Sequence, residues 1–204
     1  MAITTTTELL QAVANWTARA DLASRAPEGI SLTEAKLNRE LRVIDQETKS
    51  ATFTIGGEYV AQPTDFLQVK TFYLNDPKKN LVYYADDLLT AVYGSSTGTP
   101  QNYAIQGSNF RFGPIPGTTV FGTLVYAAKI PSLNATSVNW VLASHPDVYL
   151  YGVVAEMCAY AKDEPNAKLF GGLFLNSIER LKAWSDRKAN RDPDAAVSDT
   201  SQRK

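Results

Sequence analysis

Hydrophobic residues recur with a helical period near both ends of the chain and with an alternating period in the middle. The first apolar stripe consists of Leu9, Val13, Trp16 and Ala20. The threonines at positions 4–7 precede it, and a threonine hydroxyl can accept a hydrogen bond from an unpaired first-turn amide. The pattern therefore predicts a helix over residues 5–20.

A second helix is predicted over residues 32–48. Pro27 and Gly29 interrupt the helical period before it. The sequence from Ser31 to Glu34 fits a capping box, in which a serine and a glutamate side chain bond to backbone amides at the helix start. Apolar residues then follow on one face, at Leu37, Leu41 and Ile44. The opposite face is charged, so the helix should expose one side to solvent.

Between about residues 50 and 130 the apolar residues alternate, which is typical of β-strands. Predicted turns lie at Gly56-Gly57 and around Asp76-Pro77, and a short helix is predicted to end at Gly94. In the clearest hairpin, apolar residues alternate on both sides of Gly107-Ser108, at Tyr103, Ile105, Phe110 and Phe112. Connections this short favour antiparallel pairing, because parallel crossovers need more residues.

Two further helices are predicted over residues 146–162 and 166–185. Ser144 is a candidate cap for the first, and Pro146 and Asp147 suit its first turn. Most of its circumference is apolar, which predicts burial on several sides. We therefore expect an α+β fold, with a helical bundle from the N- and C-terminal helices and an inserted antiparallel β region. Residues 185–204 are predicted to form a flexible C-terminal arm, because they cannot bury enough surface to fold alone.

Composition and charge narrow the function classes. Hydrophobic residues make up 44% of the 204 residues and charged residues 20%, as in ordinary globular proteins. The formal net charge of −1 argues against nucleic-acid binding by the protein as a whole. One cysteine cannot form an intramolecular disulfide, and neither a secretory signal nor a bilayer-spanning stretch is recognisable. A soluble protein made in the cytoplasm is expected.

No catalytic or metal-binding constellation is recognisable, so we expect no catalytic residues, no cofactor and no metal. One histidine and one cysteine are too few for a zinc site. His145 and Cys158 are predicted to lie roughly 20 Å apart along one helix, too far to act as a pair. Two alternatives stay open: a module that binds a host protein, and a small hydrolase or nuclease whose acids converge only in the fold. The candidate acids are Asp65, Asp86, Asp87 and Glu156.

Six motifs occur in a recognisable order along the chain. They are W-x-x-R-x-D-L (16–22), LNRELR (37–42), QPTDFLQVK (62–70), GTPQNYAIQGSNFRFGPIP (98–116), LVYAAKIPSL (124–133) and NWVLASHPDVYLYGVVAEM (139–157). In this order the chain resembles the head–tail adaptor, or head-completion, proteins of tailed bacteriophages, over about residues 4–185.

The resemblance implies a structural protein of the virion neck. Such adaptors form a ring, commonly of twelve subunits, that binds the portal protein and connects the DNA-filled head to a tail or nozzle protein. The ring would extend the DNA channel, so packaged DNA would pass through it without sequence-specific binding. Neither catalysis nor a membrane is implied.

Particular residues acquire expected roles from the same resemblance. Residues 1–184 would form a single adaptor domain, and residues 185–204 would be its portal-docking arm. The candidate docking residues are Trp184, Arg187, Lys188, Arg191, Arg203 and Lys204. The expected framework residues are Pro63, Asp65, Phe66, Pro100, Tyr103, Ile105, Pro114, Pro116, Asn139, Trp140, Pro146, Asp147 and Tyr151.

Overall fold

The chain is an α+β protein in a computed structural model that describes residues 3–22 and 24–189. It divides into two compact units. Met1–Asp45 and Ile130–Lys204 make up the first, here called the helical unit, which combines segments from before and after the second unit. Gln46–Lys129 make up the second, the β unit, which is inserted between them.

The described residues contain six α-helices. These are α1 (Thr6–Thr17), α2 (Ala26–Glu40), α3 (Asp86–Tyr93), α4 (Trp140–Ser144), α5 (Pro146–Tyr160) and α6 (Glu164–Ala189). Short 3₁₀ turns follow α1 and α2, at Ala20–Leu22 and Ile44–Gln46. All of these helices except α3 belong to the helical unit.

Helix α5 is the centre of the helical unit, because α1, α2, α4 and α6 all pack against it. Its buried residues lie on several faces, which confirms the prediction from its apolar circumference. Cys158 is one of them, and burial raises the pKa of its thiol. A buried, protonated thiol is a small core side chain and not a nucleophile.

A capping box begins α1, as the run of threonines indicated. Thr5 Oγ1 accepts a hydrogen bond from the Glu8 amide at 3.3 Å, and the Glu8 carboxylate accepts the amides of Thr4 and Thr5 at 2.7 and 2.9 Å. Hydrogen bonds from Thr4 and Thr5 lower the pKa of Glu8 to about 2. The helix ends at Thr17, earlier than predicted, because Ala18 adopts a left-handed conformation with φ 50°.

The predicted start of the second helix was wrong. Helix α2 begins at Ala26, so Pro27 lies in its first turn, where the missing amide hydrogen costs nothing. Gly29 lies inside the helix, where a Cβ atom would come within 2.8 Å of Met157 Cε. Ser31 is not a cap, since its Oγ donates to the Pro27 carbonyl at 3.1 Å. The helix also stops at Glu40 rather than at residue 48.

The β unit contains ten strands within the described residues. These are β1 (Glu47–Ile55), β2 (Tyr59–Ala61), β3 (Phe66–Asn75), β4 (Lys78–Asn80), β5 (Val82–Tyr83), β6 (Thr97–Gly98), β7 (Asn102–Gln106), β8 (Asn109–Gly113), β9 (Ile115–Pro116) and β10 (Val120–Ala128). One sheet has the order β1-β10-β3-β4 and another the order β2-β8-β7-β5, while β6 and β9 form a separate pair. Pairing is antiparallel except for two short parallel pairs, β5–β7 and β6–β9.

The predicted turns of the β unit have mixed outcomes. The β7–β8 hairpin, the turn between β3 and β4, and the end of α3 at Gly94 are confirmed. The predicted hairpin at Gly56-Gly57 was wrong, because β1 pairs with β10 and β2 pairs with β8. The glycines instead join strands of two sheets, whose side chains share one hydrophobic core.

Gly152→Ala is expected to lower the free energy of unfolding by about 1–2 kcal/mol, because an added Cβ would lie 2.5 Å from Thr33 Cγ2 and 3.0 Å from Phe174 Cε2. This loss is what remains after alanine's higher helix propensity, worth about 1 kcal/mol, has been subtracted. Urea denaturation followed by tryptophan fluorescence measures it, since Trp16, Trp140 and Trp184 all lie in the helical unit.

Gly172→Ala in α6 is the matched control, because no atom of the described residues lies within 4 Å of the added Cβ there. It is expected to stabilise the protein by up to about 1 kcal/mol through helix propensity alone. If the two substitutions changed the free energy of unfolding equally, the close approach of Thr33 and Phe174 to Gly152 would not limit the side chain at that position.

Candidate interaction surfaces

The acids that an enzyme would need have structural partners. Asp65 accepts a hydrogen bond from the Tyr126 hydroxyl at 2.9 Å, and Asp86 pairs with Arg111 at 2.9 Å. Asp87 lies in the first turn of α3 and accepts the Leu88 amide at 2.9 Å. Glu156 belongs to the other unit and pairs with Lys36. Among the described residues, no group of three or more histidine, cysteine or acidic residues could hold a metal ion.

His145 is the N-cap residue of α5, and its ring lies edge-on to Trp184 with centroids 5.2 Å apart. The helix begins at Pro146 as predicted, with Asp147 in the first turn. Ser144 was expected to be the cap, but it ends α4 instead. No side-chain hydrogen bond caps α5.

The framework residues of the QPTDF motif begin strand β3. The Pro63 carbonyl accepts the Phe66 amide at 3.0 Å, which closes a turn before the strand. The Phe66 ring packs against Phe110 and Tyr126, with centroids 5.2 and 5.8 Å apart. Burial, with the nearby Asp65 carboxylate, raises the pKa of Tyr126 to about 12. These residues tie the turn to the aromatic core of the β unit.

The framework residues of the second β motif differ in exposure. Pro100 is buried just before β7, and Tyr103 is only 6% exposed within that strand. Ile105 is 41% exposed, although it alternates with Tyr103 in the predicted strand. The alternating pattern therefore did not predict which of its apolar residues are buried. Pro114 and Pro116 are half-buried after β8.

Asn139 and Tyr149 take part in a buried hydrogen-bonded network. The Asn139 amide group donates to the Tyr149 hydroxyl and to the Pro131 carbonyl, each at 2.7 Å, and its carbonyl oxygen caps α4 by accepting the Leu142 amide at 2.9 Å. The Tyr149 hydroxyl in turn lies 3.3 Å from Glu34 Oε1. Burial raises the pKa of Tyr149 well above its usual range, and Glu34 adds to this. The network joins α2, α4 and α5.

Glu34 was not recognised in the sequence as a buried residue. Its side chain is 6% exposed, and Oε1 also accepts the Leu133 amide at 2.7 Å. The carboxylate thus holds the chain as it enters the helical unit after the β unit. Its partners lie 99 and 115 residues away in the sequence, so no local pattern could have shown them.

Trp140 and Tyr151 pack against the hydrophobic core of the helical unit. Trp140 is half-buried at the start of α4. Tyr151 forms an aromatic cluster with Trp16 and Phe170, with ring centroids 5.9–6.5 Å apart. Trp16 was predicted to lie on the buried stripe of α1, but it remains 50% exposed.

The candidate docking residues divide into two groups. Trp184, Arg187 and Lys188 lie in α6, which continues to Ala189, past the predicted end at 185. Lys188 pairs with Asp45 and lies 4.8 Å from the centre of the Trp184 ring, while Arg187 donates to the Ala183 carbonyl at 3.2 Å. Arg191, Arg203 and Lys204 lie outside the described residues.

The last turn of α6 is attached to the rest of the helical unit. Ser185 is buried, and its Oγ accepts the Ile44 amide at 3.0 Å. Together with the Lys188–Asp45 pair, this bond fixes the C-terminal end of α6 against the rest of the helical unit.

Residues 4–198 match the family model described as SU10 adaptor protein. The chain belongs to this family. The match includes the residues of both units and almost the whole sequence, so it does not depend on a single motif. A comparison with curated proteins gave no match.

SU10 adaptors are phage head–tail adaptors, so this chain is a structural phage protein with a location in the virion. Membership implies that the adaptor interacts with other virion components. Within the part of the chain that the structure describes, no helix is long and apolar enough to cross a membrane.

Exposed hydrophobic side chains on the adaptor mark surfaces that partners could cover. In the helical unit, Leu169 and Leu175 on α6 are 57% and 59% exposed. In the β unit, Leu88 and Val92 lie one turn apart on α3 and are 46% and 53% exposed. These positions are candidate contacts with neighbouring virion proteins.

Proposed function

We propose that this SU10-family adaptor forms a ring in the phage neck that binds the portal protein and connects the DNA-filled head to the tail. The family match over residues 4–198 carries the proposal, because it extends through both units and into the segment after α6. The ring, commonly of twelve subunits in such proteins, would extend the DNA channel. Its far side would contact a tail or nozzle protein.

In this proposal residues 190–204 are the main portal-docking segment, with the end of α6 as its base. Arg187 is exposed, and among the described residues it bonds only to a backbone carbonyl, so its charge is available. Arg191, Arg203 and Lys204 would add further positive charge. Trp184 and Lys188 already contact His145 and Asp45, so they are better suited to fixing the helix end than to meeting the portal.

The proposed mechanism is one of contact geometry, without catalysis. The acids of the enzyme alternative bond to Tyr126, Arg111, the Leu88 amide and Lys36, which are structural contacts. Subunit contacts would build the ring, and the C-terminal segments would attach it to the portal. The DNA would meet no site built for base recognition.

Removal of residues 190–204 is expected to lower the affinity for the portal protein of the same phage at least tenfold. A loss of about 1.4 kcal/mol suffices for a tenfold change, less than a few charge-assisted hydrogen bonds contribute. Native mass spectrometry of portal and adaptor mixtures should show a discrete high-mass complex only with the full chain.

A chain with residues 190–204 replaced by a glycine–serine segment of equal length is the control for length alone, and it should also fail to bind. Unchanged thermal unfolding by tryptophan fluorescence would show that the helical unit is intact in both variants. Full portal occupancy by the truncated adaptor would refute the docking role of this segment.

A further inference from the structure

The helical unit has an open groove between α2, α5 and α6. Its volume is about 350 Å³. The walls are apolar and the rim is charged: Ala155, Gly171, Phe174, Leu175 and Ile178 form the walls, and Lys36, Arg39, Glu40 and Glu156 form the rim. Leu175 is 59% exposed there, and no atom from residues 3–22 or 24–189 lies within 4 Å of a Cβ atom added at Gly171. The groove is therefore apolar, accessible and unfilled by the described residues.

We propose that residues 190–204 of the same chain fold back into this groove before the adaptor meets a partner. The C-terminal segment would then have two alternative positions, one on its own helical unit and one on another protein. The inference goes beyond the proposed neck function and does not depend on which partner takes the segment afterwards.

The direction of the chain at the end of α6 favours this path. Residues 36–45 run alongside residues 174–188, because Lys36 and Arg39 line the groove with Phe174, while Ile44 and Asp45 contact Ser185 and Lys188. The segment therefore leaves α6 beside Asp45. A chain that turns back at Ala189 runs antiparallel to α6 and along α2, directly toward the groove.

The spacing places the apolar part of the segment at the apolar part of the groove. Leu175 and Ala189 are fourteen residues apart on α6, which corresponds to about 21 Å at 1.5 Å per residue. An extended chain advances roughly 3.3 Å per residue, so it covers this distance in six or seven residues. The returning chain would reach Leu175 at Ala195, Ala196 and Val197. These three are the hydrophobic residues of the segment.

The path carries both charge signs, because Glu156 on the groove rim pairs with Lys36 and Glu40 adds a negative charge, while two arginines lie close by. Arg39 and Arg42 are exposed on the α2 side and have no carboxylate partner among the described residues. Residues 192–199 contain three aspartates, at 192, 194 and 199, and no basic residue. At extended spacing Asp192 passes near the level of Arg42, and Asp194 near the level of Arg39. The segment would therefore gain ion pairs as its alanines and valine enter the groove.

Paramagnetic relaxation in the full-length protein tests the proposal. A nitroxide is attached at Ser198→Cys in a Cys158→Ala background, which leaves one reactive thiol. The amide signals of Gly171 and Leu175 should lose more than half of their intensity relative to the reduced nitroxide. A second variant, Leu175→Glu, should restore the Gly171 signal, because a charge in the groove wall disfavours burial of Val197.

Leu169→Glu is the matched control, since Leu169 is an equally exposed leucine on α6 that does not line the groove. It should leave the broadening unchanged. A mixture of isotope-labelled adaptor without nitroxide and unlabelled adaptor with nitroxide should show no broadening. Broadening in that mixture would assign the groove to the segment of a second copy and would overturn the proposal. The proposal would also be overturned if the labelled protein that carries its own nitroxide showed no broadening at Gly171 and Leu175. Portal binding is measured separately by native mass spectrometry. The proposed function can therefore fail or hold independently of the result of this experiment.

Discussion

Phe110→Ala is expected to lower the free energy of unfolding of the β unit by about 3–5 kcal/mol, the largest effect that we expect from a single substitution in this unit. The Phe110 side chain has no exposed surface and lies at the centre of the aromatic core. Its ring centroid is 5.2, 5.4 and 5.7 Å from those of Phe66, Phe72 and Phe53. Truncation removes the apolar surface of a whole phenyl ring and leaves a cavity between rigid neighbours.

Urea denaturation followed by circular dichroism measures this loss. Phe121→Ala on β10 is the matched control, because it removes the same group from a position that is 52% exposed. The control should cost about 1 kcal/mol or less. A similar loss for the two substitutions would mean that Phe110 does not hold the two sheets together.

Glu34→Leu is expected to destabilise the helical unit by about 2–4 kcal/mol. The substitution would leave the Leu133 amide and the Tyr149 hydroxyl without their acceptor in a buried site. Each unpaired buried polar group costs about 1–3 kcal/mol, and the larger apolar contact of leucine offsets only part of that. Tryptophan fluorescence during urea denaturation reports the change, since the tryptophans lie in this unit.

Glu34→Gln separates hydrogen bonding from charge. Glutamine keeps an acceptor oxygen in the position of Oε1, so the expected loss is only about 1 kcal/mol. If glutamine were as damaging as leucine, the carboxylate charge and not the acceptor geometry would be what the site requires. If leucine were tolerated, the network would not contribute to stability.

Local signals in the sequence located five of the six described helices and the alternating β region. The threonine cap of α1, the start of α5 at Pro146 and the β7–β8 hairpin depend on residues within a few positions of one another. Caps and turns act through nearby amides and allowed backbone angles, so they can be recognised without knowledge of the fold. The apolar circumference of α5 likewise predicted its central place.

The errors share a physical cause, which is that the deciding contact lies far away in the sequence. Gly29 resembled a helix breaker, but it is needed for the approach of Met157. Gly56-Gly57 resembled a hairpin turn, but the strands on either side pair with β10 and β8. The periodic pattern of apolar residues also failed to predict that the side chains of Trp16 and Ile105 are exposed.

By itself the sequence determined the α+β class, the central apolar helix and, through the order of its motifs, membership in a phage adaptor family. Periodicity, caps and motif order are properties of neighbouring residues, so they are visible in one dimension. Only the tertiary structure decided that Glu34 is buried with Leu133 and Tyr149, that α6 is tied to Asp45 at its end, and that a groove opens between α2, α5 and α6. Each of these features exists because folding brings together groups more than 90 residues apart, where no local pattern joins them.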